Sequence, residues 1–241
     1  MSDTPSVARD VGVVIVAGGS STRAGGTGPD GKTELKQFRW VAGKPALLHS
    51  LQTFMVRSDV ISVVAVLPRE YAGDPPPWIF QCDVDRLMVT TGGRTRTESV
   101  ANGLDDLPDE AQIVLIHDAA RPLVGNETID RVIASVRAGN CAIAALPVVD
   151  TLKEVDESGR ITGTVDRERL WRAQTPQGFP RDAIVRAHRD AKARRISATD
   201  DAALCEALGM PVVVVRGSER AMKITGEEDF ARAESMFTLS E

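Results

Sequence analysis

The segment AGGSSTR (17–23) contains glycine, hydroxyl and basic residues in an arrangement that could bind phosphate groups. Gly18 and Gly19 have no Cβ, so the backbone there can come close to a phosphorylated ligand. The hydroxyl of Ser20 and the guanidinium of Arg23 offer hydrogen-bond donors that match phosphate oxygens. The segment overlaps the end of an apolar run, VGVVIVAG (11–18), that is typical of a strand buried on both faces. The pattern therefore predicts a phosphate-binding loop after a strand.

A second segment, GTGPDGKT (26–33), fits the P-loop pattern G-x-x-x-x-G-K-[ST]. A P-loop needs a strand that ends at the first glycine and a helix that begins at the Lys-Ser/Thr pair. Here the predicted strand ends near Ala17, and Gly43 and Pro45 follow Thr33 before any amphipathic helix. The run IVLIHD (113–118) could supply a magnesium-binding aspartate, so a P-loop kinase or ATPase is kept as an alternative. A glycine-rich insertion is the favoured interpretation.

Composition narrows the class of protein. The chain has 241 residues, 42% of them hydrophobic, and a net charge of −5, which argues against a nucleic-acid or membrane-surface binder. Cys82, Cys141 and Cys205 are widely spaced and form no C-x-x-C pair, so we expect core thiols in a reducing compartment. The first apolar run is too short for a signal or membrane helix, and the expected location is the cytoplasm.

Strand-like and helical segments alternate along the chain, which predicts an α/β fold: one Rossmann-like domain (7–237) with a mostly parallel, twisted sheet flanked by helices. Expected strands cover 11–18, 60–68, 86–93, 112–122, 141–148 and 211–217. Expected helices cover 44–58, 96–107, 127–139 and 181–193; another is opened by ATDDAAL (198–204) with Thr199 as N-cap, and the last begins at Thr225.

The alternation of strand-like and helical segments stops at DTLKEVDESGRITGTVDR (150–167). This segment predicts two polar strands joined at the DESG turn. We expect an inserted β-hairpin arm over 148–170. Such a hairpin has little core of its own, so it is expected to pack on another surface such as a second subunit.

Taken together, these segments resemble the 2-C-methyl-D-erythritol 4-phosphate cytidylyltransferases, nucleotidyltransferases with a Rossmann-like fold of the glycosyltransferase-A type. The resemblance covers nearly the whole chain and keeps the family's order. It rests on AGGSSTR (17–23), KQF (36–38), GKP (43–45), GGRTRTESV (92–100), HDAARP (117–122), DTLK (150–153), TVDR (164–167), QTPQGF (174–179), TDDAAL (199–204) and MKIT (222–225).

The resemblance implies transfer of CMP from CTP to 2-C-methyl-D-erythritol 4-phosphate in non-mevalonate isoprenoid precursor synthesis. The products would be 4-diphosphocytidyl-2-C-methyl-D-erythritol and pyrophosphate, with Mg²⁺ accompanying the CTP. A phosphate-monoester nucleophile is already anionic near pH 7, so the reaction needs charge neutralisation rather than a general base. Arg23 and Lys36 match the family's cations that stabilise the transition state, and Arg167 and Lys223 match those that hold the alcohol phosphate.

Other residues are assigned by the same resemblance. Asp118 could hold the ribose or lie near magnesium, and Arg121 could hold its loop. Arg167 would reach the neighbouring subunit's site, which implies a homodimer with shared sites. The implied CTP-binding residues are Ala17, Gly18, Gly19, Ser20, Gly92, Ser99, Asp118 and Ala119. The implied substrate-binding residues are Thr151, Arg167, Thr175, Thr199 and Lys223.

Two alternatives remain besides the P-loop enzyme. A cytidylyltransferase for ribitol 5-phosphate or a related polyol phosphate would differ only around Thr151, Arg167 and Thr199. A non-catalytic binding protein would tolerate loss of Arg23 or Lys36, yet both are present. The chain also departs from the family, since its 25–34 loop is lengthened and Leu35 and Ala24 replace a usual proline and methionine.

Overall fold

Strands rich in valine and isoleucine build the centre of the molecule. The computed structural model describes residues 8–19, 26–27 and 33–238. The strands are β1 (Val11–Val16), β2 (Gly26–Thr27), β3 (Thr33–Glu34), β4 (Trp40–Val41), β5 (Lys44–Pro45), β6 (Val60–Leu67), β7 (Leu87–Thr91), β8 (Ile113–Asp118), β9 (Cys141–Pro147), β10 (Leu152–Val155), β11 (Ile161–Val165), β12 (Trp171–Pro180) and β13 (Val212–Arg216).

Seven of the described strands form one sheet in the order β13-β9-β12-β8-β1-β6-β7. The pairs β1/β6, β1/β8, β6/β7 and β9/β13 are parallel, so the predicted mostly parallel α/β fold is confirmed. One strand of this sheet was not predicted from the sequence. β12 runs antiparallel between β8 and β9, with a register irregularity between Ala173 and Gln177. Its sequence, WRAQTPQGFP, has only one β-branched residue, contains Pro176 and shows no clear alternation of apolar and polar residues, so it does not look like a strand.

Seven α-helices lie in the described part of the chain, and they cover both faces of the sheet. They are α1 (Ala46–Met55), α2 (Arg69–Ala72), α3 (Arg96–Asp105), α4 (Asn126–Arg137), α5 (Arg181–Arg194), α6 (Ala202–Ala207) and α7 (Glu227–Thr238). Alternate residues of β1 point to opposite faces. Val13 and Ile15 pack with the core beneath α1 and α4, whereas Val14 packs with the core beneath α3 and α5. No helix among the described residues is long and apolar enough to span a membrane.

Several helices begin at other residues than predicted; α1, for example, begins at Ala46 because Lys44 and Pro45 form β5. The N-cap of α6 is Asp201 rather than Thr199, and Asp200 Oδ1 accepts from Ala203 N at 3.1 Å. α7 begins at Glu227, because the Thr225 amide and hydroxyl both donate to Asp229 in a turn before the helix.

A two-stranded hairpin stands where the arm was predicted. β10 and β11 pair antiparallel, and Asp156 closes their turn by accepting from Ser158 and from the Arg160 amide. Leu152, Val155 and Ile161 are exposed large apolar residues of this hairpin. The arm therefore has no core of its own, as expected.

We predict that Gly103→Ala destabilises the fold, since Gly103 lets α3 pack closely on β1 and β6. A Cβ there would lie 2.5 Å from Val14 Cγ1 and 2.9 Å from Val66 Cγ2. Overpacking of a core typically costs about 1–3 kcal/mol, and the helix propensity of alanine offsets about 1 kcal/mol of it. The expected net loss of unfolding free energy is on the order of 1 kcal/mol, measured by urea unfolding.

Gly73→Ala is the control, because no atom lies within 4 Å of its added Cβ and its φ is −81°. An unchanged midpoint for Gly103→Ala would contradict this packing.

Candidate active site

A cleft of about 370 Å³ opens where β1 and β8 end side by side. Ligand sites of open α/β sheets lie at the carboxyl ends of strands, as here. The cleft contains most of the predicted nucleotide-binding residues, while Ser20 and Arg23 lie outside the described residues. It is lined by Val16, Ala17, Gly18, Gly19, Lys36, Gln37, Gly93, Arg94, Thr95, Arg96, Ser99, Asp118, Ala119, Ala120 and Lys223.

Gln37 fixes the backbone of the loop that follows β1. Its side chain is buried, and its Nε2 donates to Ala17 O at 2.6 Å and to Gly19 O at 3.2 Å. Ala17 N also donates to Val66 O at 2.9 Å. The residue beside Lys36 therefore anchors the loop that was predicted to bind phosphate. We did not single out Gln37 from the sequence, although a polar residue inside the KQF segment was an available signal.

Gly18 and Gly92 allow two loops to touch through their backbones. A Cβ on Gly18 would lie 3.4 Å from Gly92 Cα, and one on Gly92 would lie 3.3 Å from Gly18 Cα. Both would also crowd Ser99 Oγ, at 3.4 and 3.3 Å. Gly92 thus shapes the cleft by this approach without lining it. Ser99 donates to Thr95 O at 2.9 Å and accepts from Gly93 N at 3.0 Å, which holds the second loop in place.

The start of α3 forms one wall of the cleft. Thr95 is the N-cap and accepts from Glu98 N at 3.1 Å, while Glu98 Oε2 accepts from Arg94 N at 2.8 Å. This is close to a capping box, so the segment GGRTRTES forms a glycine turn followed by a helix cap. The positive end of the helix dipole faces the cleft and favours an anionic ligand there.

Asp118 is the centre of an ion-pair chain at the end of β8. Lys223 Nζ lies 2.7 Å from Asp118 Oδ2, and Arg96 Nη2 lies 3.4 Å from Oδ1. Burial alone would raise the pKa of Asp118, yet the charges of Arg96 and Lys223 hold it well below its usual range. Asp118 is therefore an anion at any working pH, and it positions two cations at the cleft.

The ion-pair chain that starts at Asp118 continues into the interior of the protein through Arg96, Asp201 and His188. None of these three residues was singled out from the sequence as a site residue. Arg96 Nη1 lies 2.7 Å from Oδ2 of Asp201, whose side chain is 1% exposed. His188 Nε2 lies 3.0 Å from Asp201 Oδ1. A buried carboxylate needs such partners. No local pattern could have revealed this pairing, because Arg96 and Asp201 are 105 residues apart.

His117 is a structural residue in the buried floor. Burial lowers its pKa to about 4, so it is neutral near pH 7. Its Nε2 lies 3.2 Å from Arg121 O and must donate to it, which leaves Nδ1 to accept from the Thr175 hydroxyl at 2.9 Å. Thr175 Oγ1 then accepts from Asp118 N at 3.1 Å. Arg121 holds neighbouring segments by donating to Ala221 O and Ala173 O.

A second cavity of about 230 Å³ adjoins the first and shares Arg96, Asp118 and Lys223 with it. It brings together three residues predicted to bind the alcohol phosphate: Thr175, Thr199 and Lys223. Lys223 therefore lies at the junction of two spaces. The remaining lining residues are Arg121, Ala173, Gln174, Gln177 and Asp200.

Comparison with known proteins identifies the family. The family model for 2-C-methyl-D-erythritol 4-phosphate cytidylyltransferase (IspD) matches residues 11–239. The chain belongs to the IspD family. The 2-C-methyl-D-erythritol 4-phosphate cytidylyltransferase of Roseobacter denitrificans is 42% identical over 226 residues, which cover 94% of this chain and 96% of that protein. The corresponding protein of Syntrophus aciditrophicus is 38% identical over 231 residues, covering 95% of this chain and 96% of the relative.

Other IspD relatives are longer, and solved structures share the fold. The chain covers only 55% of a bifunctional IspD/IspF enzyme of Desulfotalea psychrophila, to which it is 38% identical over 224 residues and 92% of its own length. The crystal structure of the 2-C-methyl-D-erythritol 4-phosphate cytidylyltransferase of Thermus thermophilus superposes with a TM-score of 0.77 at 33% identity. That match covers 95% of this chain and 99% of the other. The comparisons thus confirm the resemblance found in the sequence.

Two predicted site residues lie on the arm, away from both cavities. Thr151 and Arg167 are exposed, and neither lines the cleft or the adjoining cavity. Arg167 Nη1 donates to Val149 O within the same arm. Within one chain, therefore, the structure does not bring these residues to Lys223.

The P-loop interpretation of residues 26–33 was wrong. Gly26 and Thr27 pair antiparallel with Glu34 and Thr33, so Thr33 lies in a strand and not at the start of a helix. Strand β1 ends at Val16, ten residues before Gly26. Lys32 lies outside the described residues. The local pattern matches in residue type but lacks the strand-to-helix backbone that binds a γ-phosphate.

We predict that Arg96→Met destabilises the protein strongly, because Arg96 pairs with two carboxylates of low exposure, Asp118 and Asp201. Removing one partner of a buried ion pair typically costs about 3–5 kcal/mol. Arg94→Met is the control, since Arg94 is two residues away, 90% exposed and paired only at the surface. Urea unfolding should show a large drop in midpoint for Arg96→Met and none for Arg94→Met. Similar midpoints for the two variants would show that the chain of ion pairs contributes little.

Proposed function

We propose that this protein transfers CMP from CTP to 2-C-methyl-D-erythritol 4-phosphate and releases pyrophosphate. Membership of the IspD family supports this activity. The observation that carries it is the Asp118 ion-pair chain, in which Lys223 lies between a nucleotide-sized cleft and an adjoining cavity with threonine hydroxyls. This is the arrangement that a reaction between two phosphorylated substrates requires.

The chemical step is a displacement at phosphorus. A phosphate-monoester oxygen of the alcohol substrate attacks the α-phosphorus of CTP; the new P–O bond forms as the bond to pyrophosphate breaks. The second pKa of a phosphate monoester is about 6, so the nucleophile carries its charge without a base. Catalysis then depends on positioning and on neutralising two anions. Lys36 and Lys223 line the cleft for this task, and the resemblance assigns Arg23 the same role.

The segment that follows β7 would receive the cytosine base. The single proton of Ser99 is already donated to Thr95 O, and one of its lone pairs accepts from Gly93 N. A hydroxyl has a second lone pair, which can accept from the exocyclic amine of cytosine. Uracil presents a carbonyl at that position and would place two acceptors face to face. Gly18 and Gly19 leave room for the triphosphate along the loop after β1.

The described residues fit a magnesium ion that arrives with the nucleotide. Among them there is no group of three or more histidine, cysteine, aspartate or glutamate residues that could hold a metal. Asp118 is the one carboxylate in the described lining of the cleft. Magnesium commonly takes one or two carboxylates together with substrate phosphates and waters. Asp118 would be its protein ligand, and the ion would neutralise part of the triphosphate charge.

We also propose a homodimer in which the arm packs on a second subunit. Leu152, Val155 and Ile161 expose apolar side chains on a hairpin that lacks a core, which supports a protein partner. The arm would then carry Thr151 and Arg167 to the neighbouring site. The cytoplasm is the proposed location, because the cysteines are free thiols and two of them are buried. The net charge of −5 supports small molecules rather than nucleic acids as ligands.

Pyrophosphate release tests the proposed substrates directly. The protein is mixed with magnesium and CTP, and methylerythritol 4-phosphate or ribitol 5-phosphate is added in parallel; ATP replaces CTP in a third arm. We expect release only with CTP and methylerythritol 4-phosphate. Release with ribitol 5-phosphate would keep the mechanism and change the substrate. Consumption of ATP without activity in the CTP arms would contradict the proposal.

Lys36→Ala should abolish turnover while leaving the fold intact. Loss of one preorganised group that stabilises transition-state charge typically lowers kcat by about 100-fold or more. The urea midpoint should hardly change, because Lys36 lies in a turn at the cleft and not in a core. Lys32→Ala is the matched control, four residues earlier in the sequence, and should have a much smaller effect. Equal losses of kcat in the two variants would overturn the assignment of Lys36.

A further inference from the structure

The last helix, α7, packs against the segment that carries Lys36. The two terminal nitrogens of Arg39 donate to the two carboxylate oxygens of Glu227, with Nη2–Oε2 at 2.9 Å. The Arg39 guanidinium carbon also lies 3.9 Å from the centre of the Phe230 ring. Farther along the helix, Glu234 accepts from Ala42 N at 2.7 Å. Ala42 has a φ of 47°, which non-glycine residues seldom adopt, so this bond supports an unusual turn.

A small core lies beneath these polar contacts. Its buried members are Val41, Leu123, Ile224, Phe230 and Ala233. Val41 belongs to the segment of Lys36, Leu123 follows Asp118 in the chain, and Ile224 is next to Lys223. Ile224 N also donates to Ala120 O at 2.8 Å. Helix α7 therefore contacts the segments that carry Lys36, Asp118 and Lys223, three of the four described segments that bring charged side chains into the cleft.

The turn that carries Lys36 is attached to two different parts of the molecule by the residues that follow it. Phe38 packs edge-on against Tyr71 and Trp78, with ring centroids 4.8 and 5.6 Å apart, and thereby fixes one side of the turn to the main core. Arg39, the next residue, points to α7. Without the contact between Arg39 and Glu227, the Lys36 segment would keep its attachment to the sheet and lose one to α7.

We propose that Arg39 is a positioning residue. Its ion pair with Glu227 fixes the Lys36 segment relative to the Lys223 segment. Lys36 precedes Arg39 by three residues, and Lys223 precedes Glu227 by four. A bidentate arginine–carboxylate pair fixes distance and angle, which a single lysine contact does not. Glu227 lies in the first turn of α7, where the helix dipole favours a carboxylate. The inference rests on the proposed roles of the two lysines.

Kinetics distinguish positioning from simple stabilisation. The variants are Arg39→Met, Glu227→Gln and Arg39→Lys. Arg194→Met is the control, because Arg194 forms another exposed ion pair, with Asp190 on α5 at 3.2 Å. Misplacement of a catalytic group lowers turnover more than binding, so we expect kcat to fall about tenfold in Arg39→Met and Glu227→Gln, with the KM for CTP within about twofold.

Arg39→Lys should recover part of the lost kcat, and the control should match the wild type. The urea midpoints of all variants should stay near that of the wild type. Unchanged kcat in Arg39→Met and Glu227→Gln would overturn the proposal. A fall in kcat that merely follows a fall in the urea midpoint would overturn it as well.

Hydrogen exchange tests the same link without any turnover. Glu227→Gln should speed amide exchange in residues 35–42, and Arg39→Met should speed it in residues 222–230. An effect of about fivefold is expected for loss of one good surface pair. If the wild type releases no pyrophosphate with any substrate, the proposed function fails while this measurement still tests the link. Unchanged exchange in the distant segment of both variants would overturn the positioning role.

Discussion

The charge on Asp118 is the constraint on which the site depends. This carboxylate lies at the end of β8 with a side chain only 13% exposed, and a buried charge is tolerated only when it is paired. Lys223 and Arg96 meet that demand from two distant parts of the chain, the segment before α7 and the first residue of α3. Pairing with Asp118 therefore draws both segments to the same edge of the sheet. The ion pairs thus build the cleft as well as charging it.

Close backbone approach is the second requirement, and it explains the glycines. The loop after β1 and the loop after β7 touch at Gly18 and Gly92, where a Cβ on either would be crowded. Ser99 ties the second loop to the start of α3, and Gln37 ties the first loop to the Lys36 segment. Polar side chains of the site are thus largely engaged with backbone groups. They fix where a ligand can lie before any ligand binds.

Sequence reasoning found what local patterns encode. The runs of valine and isoleucine in β1 and β6 predicted buried parallel strands, and the polar hairpin of the arm was recognised from its turn. Strand β12 was not predicted because QTPQGF shows no clear alternation and contains Pro176 and Gly178, which are uncommon inside strands. The ion pair between Arg96 and Asp201 was not predicted because the two residues are far apart in the chain. The P-loop match failed for the opposite reason, since a pattern of residue types does not specify the backbone around Thr33.

The charges of the cleft residues distinguish two groups: residues that pair with one another, and residues that add positive charge for a ligand. Asp118, Asp201, Arg96 and Lys223 together carry no net charge, so they are stable in the folded protein without a substrate. An ammonium group has three donors, and Lys223 needs only one of them for Asp118, which leaves donors for a phosphate. The additional positive charge in the described lining comes from Lys36 and Arg94. In the proposed reaction, this neutral network would position Lys223, and Lys36 would be a second cation close to the triphosphate. The placement of Lys36 relative to this network would then control the rate of that reaction, because charge stabilisation in a displacement at phosphorus depends on distance.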